Sequence, residues 1–160
     1  MTGMQLIEQG RTEGRKDGLA EGEVDAIEPA PDGSLWMGGR AGIFHWKGGT
    51  FTQLPTDEAF GGSPVETLRA DGDDLWVGTS GGGLGLFRGG KLGVVTSKQG
   101  LFNDTVYAVV DDRRGSLWMT SNRGIFHASK SALIEVATGT RASEAAPSPI
   151  PATYVSIVPV

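Results

Sequence analysis

From Val24 to Leu54 short apolar runs alternate with glycine-rich breaks, and the same alternation returns twice further along the chain. Large apolar residues gather at Leu35-Trp36-Met37, at Ile43-Phe44 and at Phe51. Between them lie Asp32-Gly33, the small residues from Gly38 to Gly42, and Gly48-Gly49. Runs this short, bounded by turn residues, read as strands. The pattern predicts four of them, at Val24 to Glu28, Ser34 to Gly38, Ile43 to Lys47 and Thr50 to Leu54. Asp32-Gly33 makes the first hairpin turn, and Gly48-Gly49 stands where a two-residue turn needs positive φ. The unit is a four-stranded antiparallel meander.

Two series of landmarks fix the repeat. Val24, Val65 and Val106 open "VDAI", "VETL" and "VYAV", while Gly42, Gly83 and Gly124 open "GIF", "GLG" and "GIF", each series stepping by 41 residues. The Leu-Trp pair falls at Leu35-Trp36, Leu75-Trp76 and Leu117-Trp118, with steps of 40 and 42. The second copy therefore has a turn one residue shorter, a slip that surface turns tolerate. Weaker copies of a loop precede each Val: "KDGLAEGE" from Lys16, "DEAFGGSP" from Asp57 and "KQGLFNDT" from Lys98. A period near 40 with four strands per copy is the arithmetic of a β-propeller blade. Helical repeats of similar length show a 3.6-residue apolar spacing and fewer glycines. Trp36, Trp76 and Trp118 are read as structural equivalents that fill the space between neighbouring blades.

Composition supports the all-β reading, with 26 Gly and only 12 aromatic residues among 160. A net charge of -5 argues against a nucleic-acid partner, because neutralising phosphates takes a Lys/Arg excess. The absence of cysteine excludes disulfides and Cys-ligated metal. The opening "MTGMQLIEQGRTEGRKDG" lacks the basic and apolar regions of a secretory signal, and no window has the apolar length of a membrane span.

The repeats resemble the two-component regulator propeller family. "LWVGTSGGGLGLF" from Leu75 carries the core of that motif, "KDGL" ending at Leu19 its loop, and "LFNDTVYAVV" from Leu101 its loop-to-strand junction. Together the copies cover most of residues 16 to 128. The resemblance implies a sensor region of bacterial hybrid histidine kinases, periplasmic, followed in longer relatives by a small β-sandwich, a membrane span and the kinase. Gly39-Arg40-Ala41 and Ser121-Asn122-Arg123 depart from it, standing where the family favours Thr and paired glycines.

The fold class expected is all-β, a partial β-propeller of about three four-stranded antiparallel blades, forming an open arc of a larger, seven-bladed ring. Residues 1–23 are assigned to the outer strand of a preceding blade, near Met4 to Gln9, and an inter-blade loop. Residues 24–64 and 65–105 form blades, and 106–160 a third blade with a helical and Pro-rich insertion at about 129–152. Ser129 caps the helix within "SKSALIEVATG", and "TYVSIV" resumes as the outermost strand.

Little in the chain points to chemistry. His45 and His127 share one repeat position with Leu86, which favours packing, and two histidines without converging carboxylates make neither a metal site nor a proton relay. Asp71, Asp73 and Asp74 occupy a turn and lack the later bidentate Glu of a calcium loop. Asp111-Asp112-Arg113-Arg114 reads as an exposed ion-pair cluster. "GTSGGGLG" lacks the Lys-Ser and helix of a phosphate cradle. No catalytic residue, metal or cofactor is therefore expected. Binding is expected instead at residues the repeat does not explain: Arg40, Asn122 and Arg123 in loops between second and third strands, and Asn103 in an inter-blade loop. These loop types share one face, and their side chains suit sugar hydroxyls or a carboxylate. The expected function is a non-enzymatic sensor module for a small molecule or oligosaccharide. Its partners would be the remaining blades and a downstream kinase. The alternatives are a propeller scaffold for protein contacts and, less favoured, part of a propeller lyase or hydrolase.

Overall fold

The computed structural model describes residues 22–140 and the backbone of a strand at 152–155. Its strands form three separate four-stranded antiparallel sheets. The first is a meander of β1 (Val24–Pro29), β2 (Leu35–Gly39), β3 (Gly42–Lys47) and β4 (Thr50–Leu54). The second repeats it with β5 (Val65–Asp71), β6 (Asp74–Thr79), β7 (Leu84–Arg88) and β8 (Lys91–Val95). The third runs β9 (Ala108–Asp111), β10 (Ser116–Ser121), β11 (Gly124–Ser129) and β12 (Ala152–Val155). The expected leading strand near Met4 to Gln9 and most of the Pro-rich insertion lie outside the described residues.

Register carries the repeat into three dimensions. Val24 pairs with Gly39 and Val65 with Thr79, and in both sheets the register shifts two residues later, at Ala26 and Thr67. These two inner strands therefore bend at the same place. Gly42, Gly83 and Gly124 adopt φ values of 102°, 91° and 117°, a region that L side chains avoid. This is the physical reason for the 41-residue glycine series.

Opposed residues of an antiparallel pair project from one face. Trp36 opposes His45 and Gly38 opposes Ile43, so these four turn towards the second sheet. Leu68 opposes Val77 and Leu75 opposes Phe87, and these turn back to meet them. Burial accordingly concentrates between sheets. One core joins Ile43 of the first to Phe60, Val65, Leu68, Leu75 and Val77. A second joins Trp76, Leu84 and Leu86 to Val106, Leu117, Met119 and Phe126. Gly38 and Gly78 mark where neighbouring sheets approach closely: a Cβ on Gly38 would stand 2.5 Å from Val65 Cγ1, and one on Gly78 2.6 Å from the Val106 carbonyl oxygen. Only a bare backbone lets these sheets come this near.

The peripheral gaps between radiating sheets are filled by elements outside the four-strand pattern. Helix α1 (Asp57–Phe60) puts Phe60 against Gly85, and a 3-10 turn (Ser97–Gln99) closed by a Thr96/Gln99 capping box precedes buried Leu101. Helix α2 (Lys130–Thr138) starts at Ser129, whose hydroxyl accepts the Ala132 N–H. It buries Leu133 and sets the Ala137 carbonyl where a side chain on Gly93 would be. The helix thus wedges onto β8 of the neighbouring sheet.

Candidate functional site

Two of the four expected binding residues come together directly. The inter-blade loop before β9 brings Asn103 to the β10–β11 loop, where Asn103 Nδ2 donates to Asn122 Oδ1 at 2.7 Å. Beside them the Arg123 guanidinium lies over the Phe102 ring, 5.5 Å from its centroid. Arg40 is exposed in the equivalent loop of the first sheet, and no recorded contact joins it to this group.

Local hydrogen bonds hold these loops. Thr79 Oγ1 donates to the Gly83 carbonyl and accepts the Gly82 N–H, which closes the second sheet's loop. Ser121 repeats both roles in the third sheet, donating to the Gly124 carbonyl and accepting the Arg123 N–H. The departure from Thr at Ser121 therefore preserves the loop's bonding. Asp104 ties the loops across blades. Its carbonyl accepts the Gly81 and Gly83 N–H groups, and its carboxylate accepts the Ser97 N–H and hydroxyl at 2.6 and 2.9 Å.

Phe102 was not singled out from the sequence. The available signal was that Phe102 is aromatic where the aligned loops carry Ala20 and Gly61.

The opposite ends of the sheets carry a second polar network. Ser34 Oγ lies 2.5 Å from Asp32 Oδ1 and 2.7 Å from His45 Nε2. The Ser34 hydroxyl and N–H, followed by Lys47, hold the Asp32 carboxyl well below the usual carboxylate range. Asp32 is therefore ionised and can only accept, so the Ser34 proton points to it and His45 Nε2–H donates to Ser34 Oγ. That polarity is the reverse of a nucleophilic serine, whose proton must go to the imidazole. His45 also stacks on Trp36 at 3.9 Å, and His127 on Trp118 at 4.4 Å. Burial lowers the His45 pKa.

Trp76 is fully buried, while Trp36 and Trp118 are partly exposed. Two of these indoles have their N–H fixed by turn carboxylates, Trp76 by Asp71 at 3.4 Å and Trp118 by Asp112 at 3.2 Å. The charged turns have other partners than their sequence suggests. Lys130 Nζ bridges Asp71 at 2.6 Å and Asp111 at 2.9 Å, joining two blades. Asp112 accepts the Arg114 and Ser116 N–H groups, which lower its pKa, so the expected Asp/Arg cluster is a set of turn bonds with Lys130 as its cation. Asp74 takes Arg88 bidentately. Among the described residues no three acidic or histidine side chains converge as a metal site would require, and no helix is long and apolar enough to cross a membrane.

Solved structures resemble this arrangement. The extracellular domain of BT3049 from B. thetaiotaomicron, described as a hybrid two-component system, superposes with a TM-score of 0.63 at 18% identity, over 75% of this chain and 19% of that one. PorZ, an essential surface component of the type-IX secretion system of Porphyromonas gingivalis, gives 0.54 at 18% identity, over 69% and 18%. No family model and no curated protein matches the chain. It spans under a fifth of either structure. These likenesses agree with the propeller resemblance of the repeats, and the fold is an all-β partial propeller.

Proposed function

We propose that the chain is a ligand-binding part of a sensor propeller in a two-component signalling protein, periplasmic and non-catalytic in itself. The observation that carries this reading is the exposed group at one end of the third sheet: Arg123 held over Phe102 beside the bonded pair Asn103 and Asn122. A cation, an aromatic face and amides at one loop edge are equipment for a polar small molecule or oligosaccharide. The two-component likeness of the fold supports the signalling context. Ligand binding would bias the relative setting of blades, and a kinase elsewhere in the protein would read that bias. Non-catalysis is supported by the hydrogen-bond polarity at Ser34, the place where serine, histidine and aspartate meet.

The likeness to PorZ favours a second reading, a scaffold whose loops contact another protein. Calorimetric titration with small oligosaccharides separates the two. The sensor reading expects binding that is lost in Asn103→Ala/Asn122→Ala/Arg123→Ala while the folded spectrum is retained. Affinity unchanged in that triple variant overturns it.

A further inference from the structure

The polarity of the Asn103, Asn122 and Arg123 cluster is fixed from the backbone outward. The Thr105 N–H donates to Asn103 Oδ1 at 2.9 Å. A backbone N–H can only donate, so the Asn103 oxygen must face it and the Asn103 amide nitrogen must face away. That nitrogen meets Asn122 at 2.7 Å, and a donor there requires the Asn122 oxygen. The Asn122 NH₂ is thereby left on the remaining side of its amide, in an exposed residue. One backbone group thus sets the orientation of two side chains in series.

The side-chain oxygens in this group each already hold a donor. Asn103 Oδ1 is taken by Thr105, Asn122 Oδ1 by Asn103, and Ser121 Oγ by the Arg123 N–H. Asp104, next in sequence to Asn103, receives the N–H and hydroxyl of Ser97 on its carboxylate. The polar side-chain groups here without a recorded hydrogen-bond partner among the described residues are donors: the Asn122 NH₂ and the planar fork of Arg123. A sugar hydroxyl both gives and takes hydrogen bonds and is served best by mixed donors and acceptors. A carboxylate at neutral pH only accepts, and a guanidinium fork matches its two oxygens.

From this donor-rich edge we infer that the site recognises a carboxylate on its ligand, as in an acidic sugar. The inference rests on the ligand-binding reading above and narrows it to a chemical class. Phe102 contributes by seating the guanidinium, whose carbon lies 5.5 Å from its ring centroid.

The test is a titration, followed by amide and guanidinium NMR signals, with a uronic-acid disaccharide and with its neutral counterpart carrying CH₂OH in place of the carboxylate. Expected are shifts at Arg123 Nε–H and Asn122 Nδ2 with the acid, and affinity at least about tenfold lower with the neutral sugar, a difference of about 1.4 kcal/mol. Asn122→Asp keeps an oxygen for Asn103 but turns an anion outward. It should abolish acid binding with the fold's spectrum unchanged. Equal or tighter binding of the neutral sugar at these same residues overturns the carboxylate assignment and leaves the binding site standing. Shifts from neither sugar at Asn103, Asn122 and Arg123 overturn the site as well.

Discussion

Gly38 of β2 faces Val65 of β5 with no room for a methyl group between them, a Cβ there falling 2.5 Å from Val65 Cγ1. Gly38→Ala must therefore push β2 and β5 apart. A loss of about 1–3 kcal/mol is expected, as for other overpacked cores. Gly78→Ala should lose more, because its obstacle is the Val106 backbone oxygen as well as a side chain. Urea unfolding of the two variants checks both the loss and the order.

The Lys130 bridge should give a stability contribution with a defined pH window. Lys130 raises its own pKa through Asp71 first and then Asp111, and holds the Asp111 carboxyl below its usual value. A depressed carboxyl contributes above its unfolded pKa of about 3.9 and loses that contribution as pH falls through the folded value. A raised lysine contributes below about 10.4 and loses it as pH rises through the folded value. Lys130→Met should thus cost most between about pH 5 and 10, roughly 1 kcal/mol or less because the groups are partly exposed. Unfolding curves at pH 7 and pH 3 should show the difference from the native chain shrinking at acid pH.

Ser34 should be structural and chemically inert. Its hydroxyl proton is committed to Asp32, so a fluorophosphonate reagent should leave it unlabelled at neutral pH. Ser34→Ala should cost about 1 kcal/mol for the lost bonds, read as a lower urea midpoint. Rapid labelling at Ser34 would reopen the hydrolase reading.

The three repeat tryptophans should differ in weight. Trp76 is sealed in the second core, and Trp76→Ala should cost about 3–5 kcal/mol. Trp118 faces the side of the third sheet where Val110 is also exposed, so its loss should cost about half as much. Thermal melts of the two variants provide the comparison.

What the sequence disclosed was whatever the repeat multiplies. The glycines at 42, 83 and 124 recur because one register demands positive φ each time, and Val65 and Val106 because each meets a glycine of the preceding sheet. Helix α2 was legible from Ser129 and the apolar run behind it. Helix α1 and the 3-10 turn were not, being single turns that pack into gaps whose shape depends on sheet splay. The bond from Asn103 to Asn122 joins residues 19 apart, and the bridge from Lys130 to Asp71 crosses blades. Such partners follow from stacking geometry, which no local pattern encodes. For the same reason Arg40, equivalent by register, did not join the cluster in the third sheet.

Stacking in one register underlies every assignment made here, including which loops share a face. Its most direct test is a methyl-labelled nuclear Overhauser measurement on the chain. The account predicts contacts from Gly38 Hα to the Val65 methyls and from Gly78 Hα to the Val106 methyls, the two interfaces giving matching patterns. Absence of either contact would contradict it.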